Sequence, residues 1–151
     1  MSQENAPFFV DTEVIRLTRS GVWMSDGTEI THEPARRLFA RSLKRDDQGW
    51  ILCVGRETKR IEVEDTAYFI HRVDGTPDEG YLLWLNDETL ESLDPGTLLY
   101  RPGRLTCRLG RGEEARFLHS AYIDLLRGLS EDEQGYFLRV QGSRFTLAPS
   151  S

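Results

Sequence analysis

Cysteine is scarce in this chain: Cys53 and Cys107 are the only two in 151 residues. They stand far apart, each in a strand-like setting, so no disulfide framework is expected, and a reducing cytoplasm is the economical location. Long hydrophobic runs are also missing. None approaches the roughly 18 apolar residues of a membrane helix. The opening Met1-Ser2-Gln3-Glu4-Asn5-Ala6-Pro7 has neither the basic nor the apolar part of a signal peptide. No membrane partner is expected. Lysine is rare, with Lys44 and Lys59 the only two among 19 basic residues. Acidic residues number 25 and the net charge is −6. An acidic chain is repelled by a phosphate backbone, so nucleic acid is not an expected partner.

Catalytic constellations are absent too. Gly110-Arg111-Gly112 is too short for a phosphate-cradling loop and lacks the lysine or dinucleotide pattern that would follow. His32, His71 and His119 have no metal-ligand spacing with one another or with either cysteine. No metal or cofactor is expected. Cys107 with His119 is conceivable as a thiol–imidazole pair, but Cys107 shares an apolar strand face with Leu105 and Leu109, which points to a buried, inert thiol. The chain leans away from being an enzyme.

What is present is a globular composition, 38% apolar and 29% charged, enough for one domain or two small ones. Its most informative feature is a near-repetition. Asp46-Asp47-Gln48-Gly49-Trp50-Ile51-Leu52-Cys53-Val54 returns as Asp132-Glu133-Gln134-Gly135-Tyr136-Phe137-Leu138-Arg139-Val140, 86 positions later. Ahead of the first copy, Ala35, Leu38, Phe39, Ser42 and Leu43 form a helical stripe, with Pro34 in the first turn and Thr31 or His32 as cap. Arg41, Lys44 and Arg45 then fall in its last turn. Ala121, Leu125 and Leu129 occupy the same stripe ahead of the second copy, where Glu113 and Glu114 favour a helix start. After each copy a second strand is expected, Ile61 with Val63 and Phe145 with Leu147. That pairing makes the second hairpin loop two residues shorter.

The expected architecture is therefore α+β: two duplicated α-β-β units sharing a core with central antiparallel strands. Residues 1–65 hold the first copy, 66–103 the connecting strands and 104–151 the second copy, as one compact unit. Tyr81 to Leu85, apolar on both faces, reads as a central strand, and Asp74 to Gly80 as a turn.

Charge separates the copies. Residues 1–100 carry 11 basic and 19 acidic side chains, whereas residues 101–151 carry 8 and 6, and all eight basic ones are arginine. Arg104 and Arg108 project from one strand face, and Arg139 stands where the first copy has Cys53. Sheet-mounted guanidinium groups suit an anionic ligand. They suit pairing with the acidic first copy as the first expectation, and both readings stay open. The acidic strand end Glu62-Val63-Glu64-Asp65 reads as a solvated hairpin face rather than a cation site.

Trp23, Gly27, Ile30, Arg37-Leu38-Phe39, Leu43, Gly49, Leu52, Glu57 and Ile61-Glu62-Val63-Glu64-Asp65 together resemble the bacterial domain-of-unknown-function family 1285. Trp84-Leu85-Asn86, Leu105-Thr106-Cys107-Arg108-Leu109 and Ala121-Tyr122 through Leu126 extend the resemblance more loosely. Thr66-Ala67-Tyr68-Phe69 stands where family members tend to have a proline-phenylalanine pair. The resemblance implies an α+β fold with repeated motifs in two halves and a small-ligand role linked to signalling. The expectation is a non-enzymatic ligand-binding or regulatory module, its pocket between the halves lined by Arg104, Arg108, Arg139 and Trp84 and taking an anionic small molecule. The alternative is a protein-interaction or scaffold module without a pocket; a hydrolase-like enzyme ranks last. Oligomeric state is not legible.

Overall fold

The structure, a computed structural model, describes residues 7–147. The chain divides into two compact units, Met1–Ala67 and Tyr68–Ser151.

In the first unit, β1 (Ile15–Leu17) buries Ile15 and Leu17 and exposes Arg16, the alternation of a half-buried strand. It pairs antiparallel with β2 (Trp23–Ser25), which pairs with β3 (Thr28–Glu29). Asp26 and Gly27 between β2 and β3 both adopt positive φ, 49° and 81°, the left-handed pair a two-residue hairpin requires. Helix α1 (Glu33–Arg41) has His32 at its N-cap without a side-chain cap bond, and Pro34 in the first turn. Its Phe39 is buried, with the rings of Trp23 and Phe9 at 5.4 and 6.3 Å. The Ser42 hydroxyl donates to the Leu38 carbonyl at 2.6 Å and the helix stops there.

A three-stranded meander follows: β4 (Leu43–Asp46), β5 (Gly49–Val54) and β6 (Glu57–Arg60). β7 (Glu62–Val63) then runs parallel to β1 and closes the first sheet in the order β3-β2-β1-β7. Residues 8–11 are strapped to β6 by side chains. The Glu57 carboxylate accepts the Phe8 and Phe9 amides at 2.7 and 3.1 Å, and the Lys59 ammonium donates to the Val10 and Asp11 carbonyls at 2.8 and 3.1 Å.

The second unit holds β8 (Tyr68–Thr76), β9 (Gly80–Leu85), β10 (Leu90–Ser92), β11 (Leu99–Arg101), β12 (Arg104–Arg108) and β13 (Glu114–Phe117) in one sheet, ordered β10-β9-β8-β13-β12-β11. Ile70, Leu83, Leu85, Leu105, Cys107, Ala115 and Phe117 are buried, and helix α2 (His119–Leu126), which lies against β8, adds buried Ala121 and Leu125. Each large aliphatic side chain contributes about 1.5–3 kcal/mol by leaving water. A second meander, β14 (Leu129–Asp132), β15 (Gly135–Val140) and β16 (Ser143–Thr146), ends the described chain.

The α+β expectation of two duplicated α-β-β units is corrected. The described residues are mostly β, 48% in strands and 14% in helices, and their strands form four sheets. Each helix is followed by three strands, because Leu43 and Leu129 do not continue the helical stripe but open β4 and β14. Glu57 and Ser143 begin the third strands 86 positions apart, and both connecting turns, Gly55-Arg56 and Gln141-Gly142, have two residues. The second hairpin loop is not shorter than the first: Phe145 pairs with Leu138 as Lys59 pairs with Leu52, whereas Val63 belongs to another sheet. Glu114 starts a strand, not a helix, since Ala115 and Phe117 alternate into the core. The strands are not uniformly antiparallel either, because β13 runs parallel to β8 and β7 to β1.

Candidate functional site

Arg104 and Arg108 do lie on one face of β12, flanking Thr106. Arg104 donates to Glu114 at 3.4 Å, and Arg108 donates to the Gly112 carbonyl at 2.8 Å. Arg139 belongs to β15, opposite Arg144 and 5.7 Å from the Phe137 ring. Trp84 is on β9, and two strands, β8 and β13, separate it from β12, about 14 Å at the usual strand spacing. Two of the four residues thus come together and two do not. The acidic strand end is occupied as well: Glu62 binds Arg16 at 3.0 Å and Glu64 accepts the Arg19 amide at 2.8 Å. Among the described residues no group of three His, Cys, Asp or Glu side chains is placed to hold a metal. Cys107 is buried, and burial pushes its thiol up to about 12.

The strongest charge cluster surrounds Arg111, in the turn between β12 and β13. Its Nε and two terminal nitrogens donate to Glu91 at 2.9 Å, Asp87 at 2.8 Å and the Thr89 hydroxyl at 2.9 Å, and it lies 4.8 Å from the Tyr68 ring. Burial alone would raise the Asp87 carboxyl, but the bonds from Thr89 and Arg111 outweigh it and hold the group below the usual carboxylate range. With its donors used internally, Arg111 is a lock between the β9–β10 and β12–β13 turns rather than a ligand site.

Local geometry opens a site elsewhere, along β8. β13 pairs with β8 only from Tyr68 to Ile70. There the Leu118 amide donates to the Ile70 carbonyl at 2.9 Å, the Ser120 hydroxyl donates to the His71 carbonyl at 3.2 Å, and the chain turns into α2. A register shift at His71 separates the two parts of β8. Beyond it, Arg72 to Thr76 pair with β9 on one side, and among the described residues no strand pairs with them on the other. An eight-residue helix advances about 12 Å, whereas a strand from Ile70 to Thr76 covers about 20 Å, so α2 ends before β8 does.

The gap is a groove of about 510 Å³ lined by the six consecutive residues Arg72 to Pro77, by Tyr81, and by Asp124, Arg127 and Gly128 at the end of α2. Successive strand residues face opposite ways, so a cavity bordered by all six meets the strand at its edge.

Two glycines hold this shape. Gly75 has φ +118°, and a Cβ there would lie 2.1 Å from the Gly80 carbonyl oxygen. At Gly128 a Cβ would come within 2.6 Å of the Tyr81 hydroxyl. Beside the groove, Arg72 Nε donates to Asp74 at 3.0 Å, the Trp84 indole donates to the other Asp74 oxygen at 2.8 Å, and the guanidinium lies 4.9 Å from the indole ring. Those bonds hold the Asp74 carboxyl below its ordinary value. On the far rim Arg127 donates to Asp124 at 3.2 Å.

Of the residues singled out in the sequence, Trp84 alone supports this site. The groove was missed because Asp74 to Gly80 read as a turn. The available signal was Gly75 itself, since a glycine within a strand marks a close backbone approach.

The sequence pattern described as "Domain of unknown function (DUF1285), N-terminal domain" matches residues 3–66. No curated protein sequence matches the chain. Among solved structures, a DUF1285 family protein from Silicibacter pomeroyi DSS-3 is similar with a TM-score of 0.69 at 21% identity, covering 88% of this chain and 78% of that one. A DUF1285 family protein from Shewanella baltica OS155 is similar with a TM-score of 0.60 at 20% identity, covering 78% of this chain and 94% of that one. These likenesses concern the fold.

Proposed function

We propose that this chain, which belongs to the DUF1285 family, is a recognition module that holds an extended segment of another protein along the open edge of β8. The observation carrying the proposal is a groove bordered by one unpaired strand edge and by a helix that stops short. An unpaired edge presents alternating N–H and C=O groups, which a second strand satisfies completely. Peptides recognised by strand addition take affinity from this ladder and specificity from the side chains flanking it.

Other edges are shorter: β10 and β11 have three residues each, and β4, β6, β14 and β16 have four. The open stretch of β8, residues 72–76, accommodates about five. This order of preference reverses the one drawn from composition. A small anionic ligand in the same groove remains a second reading, supported by the terminal nitrogens of Arg72, which donate to nothing among the described residues.

The test is panning of a displayed random hexapeptide library on the full chain, followed by hydrogen–deuterium exchange with a selected, terminally blocked peptide. Enriched sequences that protect amides in residues 72–76, and lose binding when their alternate amides are N-methylated, support the proposal. Enrichment that persists on an Arg127→Trp variant, which fills the groove rim from an exposed position, refutes it. A thermal shift with small carboxylates or phosphates and no peptide enrichment favours the second reading.

A further inference from the structure

We infer that the segment accepted at β8 carries an acidic side chain followed directly by a bulky apolar one. The inference rests on the strand-addition proposal and concerns which sequence that site selects.

Neighbouring residues of a strand project to opposite faces, and a strand added beside β8 inherits that alternation. Arg72 pairs with Trp84 and Asp74 with Leu82, whereas Val73 pairs with Leu83 and Gly75 with Tyr81. The first set marks a charged face and the second an apolar one. On the charged face, an incoming side chain directly opposite Arg72 would stand about 5 Å away. The Arg72 guanidinium is fixed there by its Nε bond to Asp74 and by the Trp84 ring, so little ordering entropy is lost when its terminal nitrogens take up a carboxylate. Asp74 accepts one bond on each oxygen, from Arg72 and from Trp84, which anchors the guanidinium beside the indole.

On the apolar face the next incoming residue meets a different surface. Val73 and Tyr81 are buried there, and Gly75 and Gly128 let the Gly80 carbonyl and the Tyr81 hydroxyl approach closely. The groove of about 510 Å³ that Val73 and Tyr81 border admits a large apolar group, and an aromatic ring buries more surface there than any other side chain.

Fluorescence anisotropy with labelled, terminally blocked heptapeptides decides the matter. The reference peptide is Thr-Val-Thr-Glu-Phe-Thr-Val; the variants replace Glu by Lys, replace Phe by Ala, or carry N-methylated alternate amides. The expected result is about tenfold weaker binding for the Lys peptide, at least tenfold for the Ala peptide, and no binding for the N-methylated one. Arg72→Glu should reverse the Glu-over-Lys preference and Arg72→Gln should erase it, with circular dichroism confirming that both fold. Equal affinities for the Glu and Lys peptides, with N-methylation still abolishing binding, overturn this inference and leave strand addition standing. No binding of any of these peptides at millimolar concentration overturns both.

Discussion

Replacing Gly75 by alanine is the sharpest test of how the β8–β9 hairpin is built. At φ +118° an L-residue lies outside even the left-handed helical region, a strain of about 1–3 kcal/mol. The added methyl would also stand 2.1 Å from the Gly80 carbonyl oxygen, 3.0 Å from the Tyr81 Cα and 3.1 Å from the Gly80 carbonyl carbon. All three are backbone atoms of the paired strand, which cannot rotate away as a side chain would. Opening the hairpin to a normal contact adds an overpacking cost of about 1–3 kcal/mol.

The combined loss is about 2–6 kcal/mol, with a midpoint of about 4. For a unit of this size each kcal/mol lowers the melting temperature by about 4–8 °C, so at that midpoint a fall of roughly 16–32 °C is expected in far-UV circular dichroism. Gly103→Ala is the matched control, with φ +75° and no atom within 4 Å of the new methyl. It should cost about 1 kcal/mol. If the two variants melt within about 3 °C of each other, the close approach at Gly75 does not constrain the hairpin, and the argument is wrong.

Two further expectations concern titration and reactivity. Asp46 is held down at about 2, first by its side-chain bond from Arg60 and then by the Gln48 amide. Because the folded value lies below the unfolded one, its contribution is complete above about pH 4 and is lost as pH falls through about 2. Arg60→Gln should move the Asp46 midpoint back toward the ordinary aspartate value of 3.8 in an NMR titration, and an unmoved midpoint would show that the ion pair is not the cause. In iodoacetamide labelling of native protein near neutral pH, half-buried Cys53 should react while buried Cys107, with its thiol pushed up to about 12, stays unmodified until the chain unfolds. Rapid labelling of Cys107 would contradict its place in the core.

Local signals were legible where period and chemistry agreed. Leu105, Cys107 and Leu109 alternate into the core as expected, and the turn ending in Gly49 recurs at Gly135, both with positive φ. The helical stripe misled at Leu43, because an apolar residue after Ser42 fits both the next helical turn and the first position of β4. Gly75 and Thr76 misled for a related reason: their composition is that of a turn, yet pairing with Tyr81 and Gly80 keeps them in β8. Nothing local could announce the parallel pairing of β13 with β8, a contact across more than forty residues. The groove depends on that pairing and on where it stops, which is why Trp84 could be singled out while Arg72, Tyr81 and Arg127 could not.

The strap along β6 has a dynamic consequence. One carboxylate, Glu57, holds two successive amides, and one ammonium, Lys59, holds the next two carbonyls. No ladder of independent backbone bonds exists there to fray residue by residue. Release of Glu57 frees Phe8 and Phe9 together, so their amides should exchange with solvent as a pair, at one shared opening frequency, while the meander beneath stays closed. The first described segment is therefore fastened by a latch with two catches rather than woven into the sheet.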